Sequence, residues 1–120
     1  MKGKRKITGG RYKKARKRKL YEKRSQSRVV KLGQRKSKFM HVRGGARKIV
    51  LLSENKTNLM YKGKSKIATI KNVIETPCNR FLARQNVLVK GAIIETDMGK
   101  ARITNRPSQE GMVQSILIEQ

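Results

Sequence analysis

The chain has 120 residues, of which 32 are lysine or arginine and 7 are aspartate or glutamate, so its formal net charge is +25. A charge of this size destabilises a compact state by self-repulsion and favours a polyanionic partner, which argues against an enzyme that acts on cationic substrates. With 36% hydrophobic residues and no tryptophan, the chain can build one small core with an appendage, and no more than that.

The charge is concentrated in the first two-fifths of the chain. Residues 1–48 hold 21 basic residues and one acid, a net charge of +20, whereas residues 49–120 hold 11 and 6, a net charge of +5. We predict a basic N-terminal extension over residues 1–38, followed by a compact β domain over residues 39–120. Neighbouring like charges repel, so the extension is expected to be disordered until it binds RNA.

The extension admits three interpretations. A solubilising tail seldom needs this density of one charge, and a membrane-surface helix needs large apolar side chains that the segment lacks. Nucleic-acid binding is favoured, because each phosphate that a basic residue neutralises releases counterions. RNA is preferred to DNA, since arginine-rich segments often fold on RNA and no helix-turn-helix, zinc-finger or zipper pattern is present.

The candidate RNA-binding residues of the extension are its cations, its paired glycines and two tyrosines that are suited to stacking on unpaired bases. They are Lys4, Arg5, Lys6, Gly9, Gly10, Arg11, Tyr12, Lys13, Lys14, Arg16, Lys17, Arg18, Lys19, Tyr21 and Arg24.

From residue 39 onward, short β-branched runs alternate with turn residues, which predicts strands rather than helices. The candidate strands are residues 39–43, 47–53, 67–75, 86–90, 92–96, 100–105 and 112–119. A hairpin is predicted at residues 97–99 with Gly99 in the left-handed conformation, and Pro77 and Pro107 are placed in connections. The pattern indicates an all-β fold, a small barrel or sandwich of six or seven strands with a long basic N-terminal extension.

Residues 41–48 (HVRGGARK) form the most suggestive local cluster. Gly44 and Gly45 allow the backbone to approach a phosphate closely, and Arg43, Arg47 and Lys48 supply charge around it. An ordinary glycine turn between two strands explains the same residues, and the two interpretations are compatible.

No catalytic residue, metal site, cofactor or small-molecule substrate is predicted. His41 is the only histidine, Asp97 the only aspartate, and the remaining acids are scattered. Cys78 has no partner for a disulfide or a zinc site, and we expect it to be a small, partly buried residue. The lone thiol and the absence of a long apolar run predict a cytosolic protein without a membrane segment.

Several stretches resemble the archaeal and eukaryotic eight-e family of small-subunit ribosomal proteins. The matching stretches are residues 8–12 (TGGRY), 18–22 (RKLYE), 42–48 (VRGGARK), 72–75 (NVIE), 90–96 (KGAIIET), 98–104 (MGKARIT) and 105–107 (NRP). The short length resembles archaeal members, because eukaryotic members carry long insertions. The chain departs from the family pattern at Cys78, Arg80 and Ser108, and residues 25–37 match it poorly.

The resemblance implies a structural, non-enzymatic constituent of the small ribosomal subunit in the cytoplasm. It implies small-subunit rRNA and neighbouring ribosomal proteins as partners, without self-association. In or beside the family's signature loops it places Arg43, Arg47, Lys48, Lys100, Arg102 and Arg106. A ribosome-assembly factor that binds pre-rRNA and, less readily, a basic DNA-compacting protein remain as alternatives.

Overall fold

The computed structural model describes residues 5–13, 16–23 and 27–118, and in these residues the chain forms eight strands, two short α-helices and two 3-10 turns, at Leu20–Glu22 and Arg43–Gly45. The elements are β1 (Lys31–Leu32), β2 (Lys36–His41), β3 (Arg47–Glu54), β4 (Lys56–Tyr61), β5 (Lys64–Glu75), α1 (Arg80–Arg84), β6 (Ile93–Thr96), β7 (Gly99–Ile103), α2 (Pro107–Glu110) and β8 (Gln114–Leu117). The predicted all-β class is confirmed, with a five-stranded closed barrel and a separate three-stranded sheet.

The barrel consists of β4, β5, β6, β7 and β8 in that order, closed by parallel pairing of β8 with β4. Its strands alternate between inward and outward side chains, as a sheet with one buried face requires. Leu59, Ile94 and Ile103 are among the fully buried side chains that fill the interior. The barrel also encloses a polar pair, in which the Thr57 and Ser115 hydroxyls lie 2.9 Å apart.

Two tight hairpins connect barrel strands. The turn between β4 and β5 consists of Lys62 (φ +45°) and Gly63 (φ +77°), the two positive φ angles of a type I′ turn, whose twist matches the flanking strands. The predicted hairpin at residues 97–99 is present between β6 and β7. Gly99, however, pairs with Thr96 and has φ +125°, outside the left-handed helical region in which it was predicted.

The second sheet has the order β1-β3-β2, with β1 parallel and β2 antiparallel to β3. The residue before β1, Val30, is 1% exposed and packs in the same hydrophobic core as the barrel side chains. Its carbonyl accepts a hydrogen bond from the Leu88 amide (2.8 Å), and the Leu32 amide donates to the Asn86 carbonyl (2.9 Å). The last part of the predicted extension, from Val30 through β1 to the start of β2, is therefore built into the folded core and sheet.

Several strand predictions differ from the structure. Strand β4 was not predicted, because one of its two buried side chains is the polar Thr57 and only the other, Leu59, is apolar. The sequence therefore shows no clear alternation of apolar and polar residues there. Residues 86–90 are not a strand: Val87 forms only an isolated bridge to Lys31. Pro107 lies in the connection between β7 and β8, as predicted, and it occupies the first turn of α2, where a backbone amide hydrogen would have no partner within the helix.

Helix α2 packs against β3 through a close contact at Gly111. Gly111 ends the helix with φ +72°, and a Cβ atom there would lie 2.6 Å from Cγ2 of Ile49. Only glycine satisfies both the backbone conformation and the available space. This contact fixes the hairpin of β2 and β3 against the α2 segment.

Candidate nucleic-acid interface

Most cations in the described part of the chain have no acidic partner within it. In residues 5–13, 16–23 and 27–118, the ion pairs are Arg16 with Glu22 and Arg35 with Glu54. Of the predicted RNA-binding residues, Lys4, Lys14 and Arg24 lie outside the described residues. All the others are exposed except Lys48, which is half-buried. The lysine and arginine side chains among them are therefore accessible to a partner.

The first part of the extension contains a small turn. An isolated bridge joins Arg5 to Arg11, and the Lys6 amide donates to the Gly10 carbonyl (2.9 Å) across a turn in which Gly9 has φ +77°. The Lys6 ammonium lies 5.7 Å from the centre of the Tyr12 ring, a cation–π distance. The paired glycines and Tyr12 thus form one local unit with a cationic surface.

The second part of the extension is organised around Glu22. Residues Leu20–Glu22 form a 3-10 turn, and Arg16 donates two hydrogen bonds to the Glu22 carboxylate (2.7 and 2.8 Å). The Arg16 guanidinium, and then the Lys19 amide, lower the pKa of Glu22. The Lys19 ammonium lies 5.8 Å from the Tyr21 ring centre. The single acid of the extension therefore orders a turn, and in residues 5–13, 16–23 and 27–38 only Arg16 forms an ion pair with it.

Strands β2 and β3, with the turn between them, form what we call the basic ribbon, residues 36–54. It contains five lysines or arginines and one acid, Glu54, which is buried and paired with Arg35. The register places His41 opposite Arg47 next to the turn, where Gly44 and Gly45 have φ +82° and +77°. No atom lies within 4 Å of where a Cβ would stand on either glycine, so their backbone is open to a partner.

The remaining predicted site residues are distributed between the ribbon and the barrel. Lys48 donates a hydrogen bond from its ammonium to Oε1 of Gln109 in α2, and Arg106 immediately precedes that helix, beside β3. Lys100 and Arg102 lie on the outer surface of β7, opposite Glu95 and Ile93 of β6. The structure thus brings Arg106 to the ribbon but keeps Lys100 and Arg102 on the barrel.

Two groups of basic residues were missed in the sequence prediction. Lys36 and Lys38 extend the ribbon at its start, and a second cluster, Lys62, Lys64 and Lys66, surrounds the hairpin of β4 and β5. All five are exposed. The spacing of lysines at every second residue without an intervening acid was the signal that could have revealed both groups.

One exposed face of the barrel has uncharged residues at its centre, and we call it the outer wall. Its residues are neighbours in the registers of β5 with β4 and of β4 with β8. They are Ser65, Met60, Ile116, Ile67, Asn58 and Gln114. Cations stand at its borders, because Arg102 of β7 lies opposite Ile116 and Lys56 of β4 lies opposite Thr69. The basic residues are thus unevenly distributed, with none among the six residues of the outer wall itself.

Three further sequence predictions concern Cys78, metal sites and membrane-spanning segments. Cys78 was expected to be partly buried but is exposed, in the segment before α1. Among the described residues, no three histidine, cysteine or acidic side chains converge as a metal site would require. No helix in the described ranges is long and apolar enough to cross a membrane.

Comparison with known proteins agrees with the predicted resemblance. The sequence profile of the family described as Ribosomal protein S8e matches residues 1–118. Small ribosomal subunit protein eS8 of Nanoarchaeum equitans is 40% identical over 115 residues, covering 94% of this chain and 91% of that protein. The eS8 proteins of Methanosarcina barkeri and Haloarcula marismortui are 37% and 36% identical, each covering 96% of this chain and 94% of the relative. With the profile and these archaeal relatives spanning almost its whole length, the chain belongs to the ribosomal protein S8e family.

Proposed function

We propose that this protein binds small-subunit rRNA through the phosphates facing its extension and basic ribbon, and that it braces the folded RNA. As a member of the S8e family it is a structural, non-enzymatic constituent of the small ribosomal subunit and works in the ribosome, in the cytoplasm. Bracing has a simple physical basis, because folded RNA segments repel one another and a polycation placed between them lowers that repulsion.

The observation that carries this proposal is the separation of charge from core. Apart from Arg16 and Arg35, the described cations of the extension and the ribbon have no ion-pair partner among the described acids. The buried apolar side chains are gathered mainly in the barrel, with Val30 and Leu51 packed onto it from outside. The barrel supplies a fixed shape, and the basic segments supply the affinity. Phosphate contacts would set the position of the protein, and the shape of the RNA rather than its base edges would set most of the specificity.

Neighbouring ribosomal proteins are the second class of partner. Contacts with neighbouring proteins need surface that the RNA does not cover, and the six residues of the outer wall carry no cation. We therefore assign phosphate binding to the extension, the ribbon and the cluster of Lys62, Lys64 and Lys66, and we do not assign it to the outer wall.

Binding of a small-subunit rRNA transcript, measured as a function of salt concentration, tests the proposal. With six or more phosphates engaged, the slope of log K against log salt is expected to be steeper than about −4, at roughly −0.7 to −0.9 per phosphate. Duplex DNA at matched salt is the control. A slope near zero, or a preference for the DNA, contradicts the proposal.

A further inference from the structure

The basic ribbon carries an exposed aromatic side chain that its role as a polycation does not explain. Phe39 is 65% exposed and stands opposite Ile49 in the register of β2 and β3. The next pair along the same face, towards the turn, is His41 with Arg47. One face of the ribbon thus presents an aromatic ring beside a histidine and a guanidinium.

The support beneath this ring is rigid. Ile49 lies against Gly111, so tightly that a Cβ atom at Gly111 would meet its side chain at 2.6 Å. Farther along the same face, Leu51 is fully buried in the core. A ring held on a two-stranded ribbon that is fixed at its base loses little conformational freedom when a flat partner covers it.

We propose that Phe39 is a stacking platform for one unpaired base of the rRNA, with Arg47 and His41 contacting the adjoining phosphate. This inference rests on the proposed function, and it adds a specific nucleotide-binding site to a surface otherwise described by its charge. Unpaired bases stack on aromatic rings in single-stranded loops and bulges, the parts of RNA that proteins reach most readily.

The surroundings of the ring favour a nucleotide over a protein segment. The ribbon holds five lysines or arginines over residues 36–54, and its one acid, Glu54, is buried and paired with Arg35, so the exposed charge is of the sign that meets phosphates. Ile67 of the outer wall is 73% exposed as well, but the recess that it lines also holds Lys56 and the carboxylate of Glu54. Of these two exposed apolar residues, Phe39 is the one whose cross-strand neighbours include Arg47 and no acid.

The absence of tryptophan from the chain provides a direct test. In a Phe39→Trp variant, tryptophan fluorescence is expected to be quenched when a small-subunit rRNA transcript is added, and acrylamide is expected to reach the indole less readily. Ile67→Trp is the matched control on the outer wall, and its fluorescence is expected to stay unchanged. Quenching at both positions, or at neither in an rRNA complex that retains its salt dependence, overturns the stacking site.

Affinity supplies the second measurement. Phe39→Leu keeps an apolar side chain but removes the π face, so its affinity for the transcript is expected to fall about 5- to 100-fold with the salt slope unchanged. Phe39→Tyr is expected to bind like the parent protein. Normal binding by Phe39→Leu overturns the site, and normal binding combined with poor incorporation into the subunit assigns Phe39 to a protein neighbour. A salt slope near zero for the parent protein contradicts the proposed function itself, and the site with it.

Discussion

The barrel and the basic ribbon are both made largely of antiparallel strands, but they use their two faces differently. Barrel strands turn side chains such as Leu59 and Ile94 into a closed interior, and each therefore contributes to stability. In the ribbon, every residue of β2 is exposed except the half-buried Met40, and the strand buries almost nothing. Strand β3 differs from β2, because its Val50 and Leu51 are fully buried. Stability therefore comes from the barrel and β3, whereas the proposed binding surface is made by the exposed residues of β2, the turn and the extension.

Removing residues 1–27 of the extension should have the largest effect on binding. Residues 1–27 hold 13 lysines and arginines and one acid, and a chain starting at residue 28 keeps Val30 in the core. The salt slope of rRNA binding is expected to become shallower by about 4 or more if at least six phosphates are lost. Circular dichroism should show an intact barrel, and an unchanged slope would mean that the ribbon carries the binding alone.

Shortening a core side chain is expected to change the free energy of unfolding rather than the binding of rRNA. Ile94→Ala removes a fully buried side chain from the barrel, and it is expected to lower the free energy of unfolding by about 2–5 kcal/mol. The matched control, Ile67→Ala on the outer wall, should shift it by less than about 0.5 kcal/mol. Urea denaturation measures both values. A similar loss for the two variants would show that the outer wall contributes to stability as the core does.

The contact between the basic ribbon and α2 can be tested at Gly111. Gly63→Ala reports the cost of a left-handed backbone alone, about 1–2 kcal/mol, because nothing lies within 4 Å of its Cβ position. Gly111→Ala adds the overlap with Ile49 and should cost about 1–3 kcal/mol more in the same thermal unfolding measurement. Equal losses for the two variants would mean that the ribbon is not held by this contact.

The smallest expected effect concerns the stability of the turn at Leu20–Glu22 in the extension and its dependence on pH. The Arg16 guanidinium lowers the pKa of Glu22 below its ordinary value of 4.5, so the turn at Leu20–Glu22 gains stability above that pH. The gain is lost as the pH falls through the lowered pKa. An NMR titration of the Glu22 carboxyl carbon should give a midpoint below 4.5 that Arg16→Gln moves upwards. A midpoint unaffected by that substitution would contradict the pairing.

The sequence predicted what depends on local pattern. The β-branched runs indicated seven strands, and six correspond to strands of the structure with shifted ends. Strand β4 was not predicted because its first inward side chain is the polar Thr57. The hydroxyl of Thr57 is buried beside the Ser115 hydroxyl of β8, and this pairing cannot be seen in the local sequence. The closure of β8 on β4 and the burial of Val30 depend on residues distant in sequence, so no local pattern reveals them.

The same limit applies to the interface. Composition alone indicated a polyanion-binding extension, because charge density needs no knowledge of the fold. Phe39 was interpreted only as the first residue of a strand, since an aromatic residue in a β-rich segment is more often buried. Its exposure follows from the place of β2 at the free edge of the second sheet, which is a property of the assembled topology.

Burial of Val30 gives the extension a fixed point of departure from the barrel. The Leu88 amide donates a hydrogen bond to the Val30 carbonyl, the Leu32 amide donates one to the Asn86 carbonyl, and both hold the base of the extension in place. In the proposed rRNA complex, docking of the folded part therefore sets the effective concentration of the attached cations at nearby phosphates. Each later phosphate contact would then be an intramolecular step, and the proposed avidity of the whole chain would exceed that of either region alone.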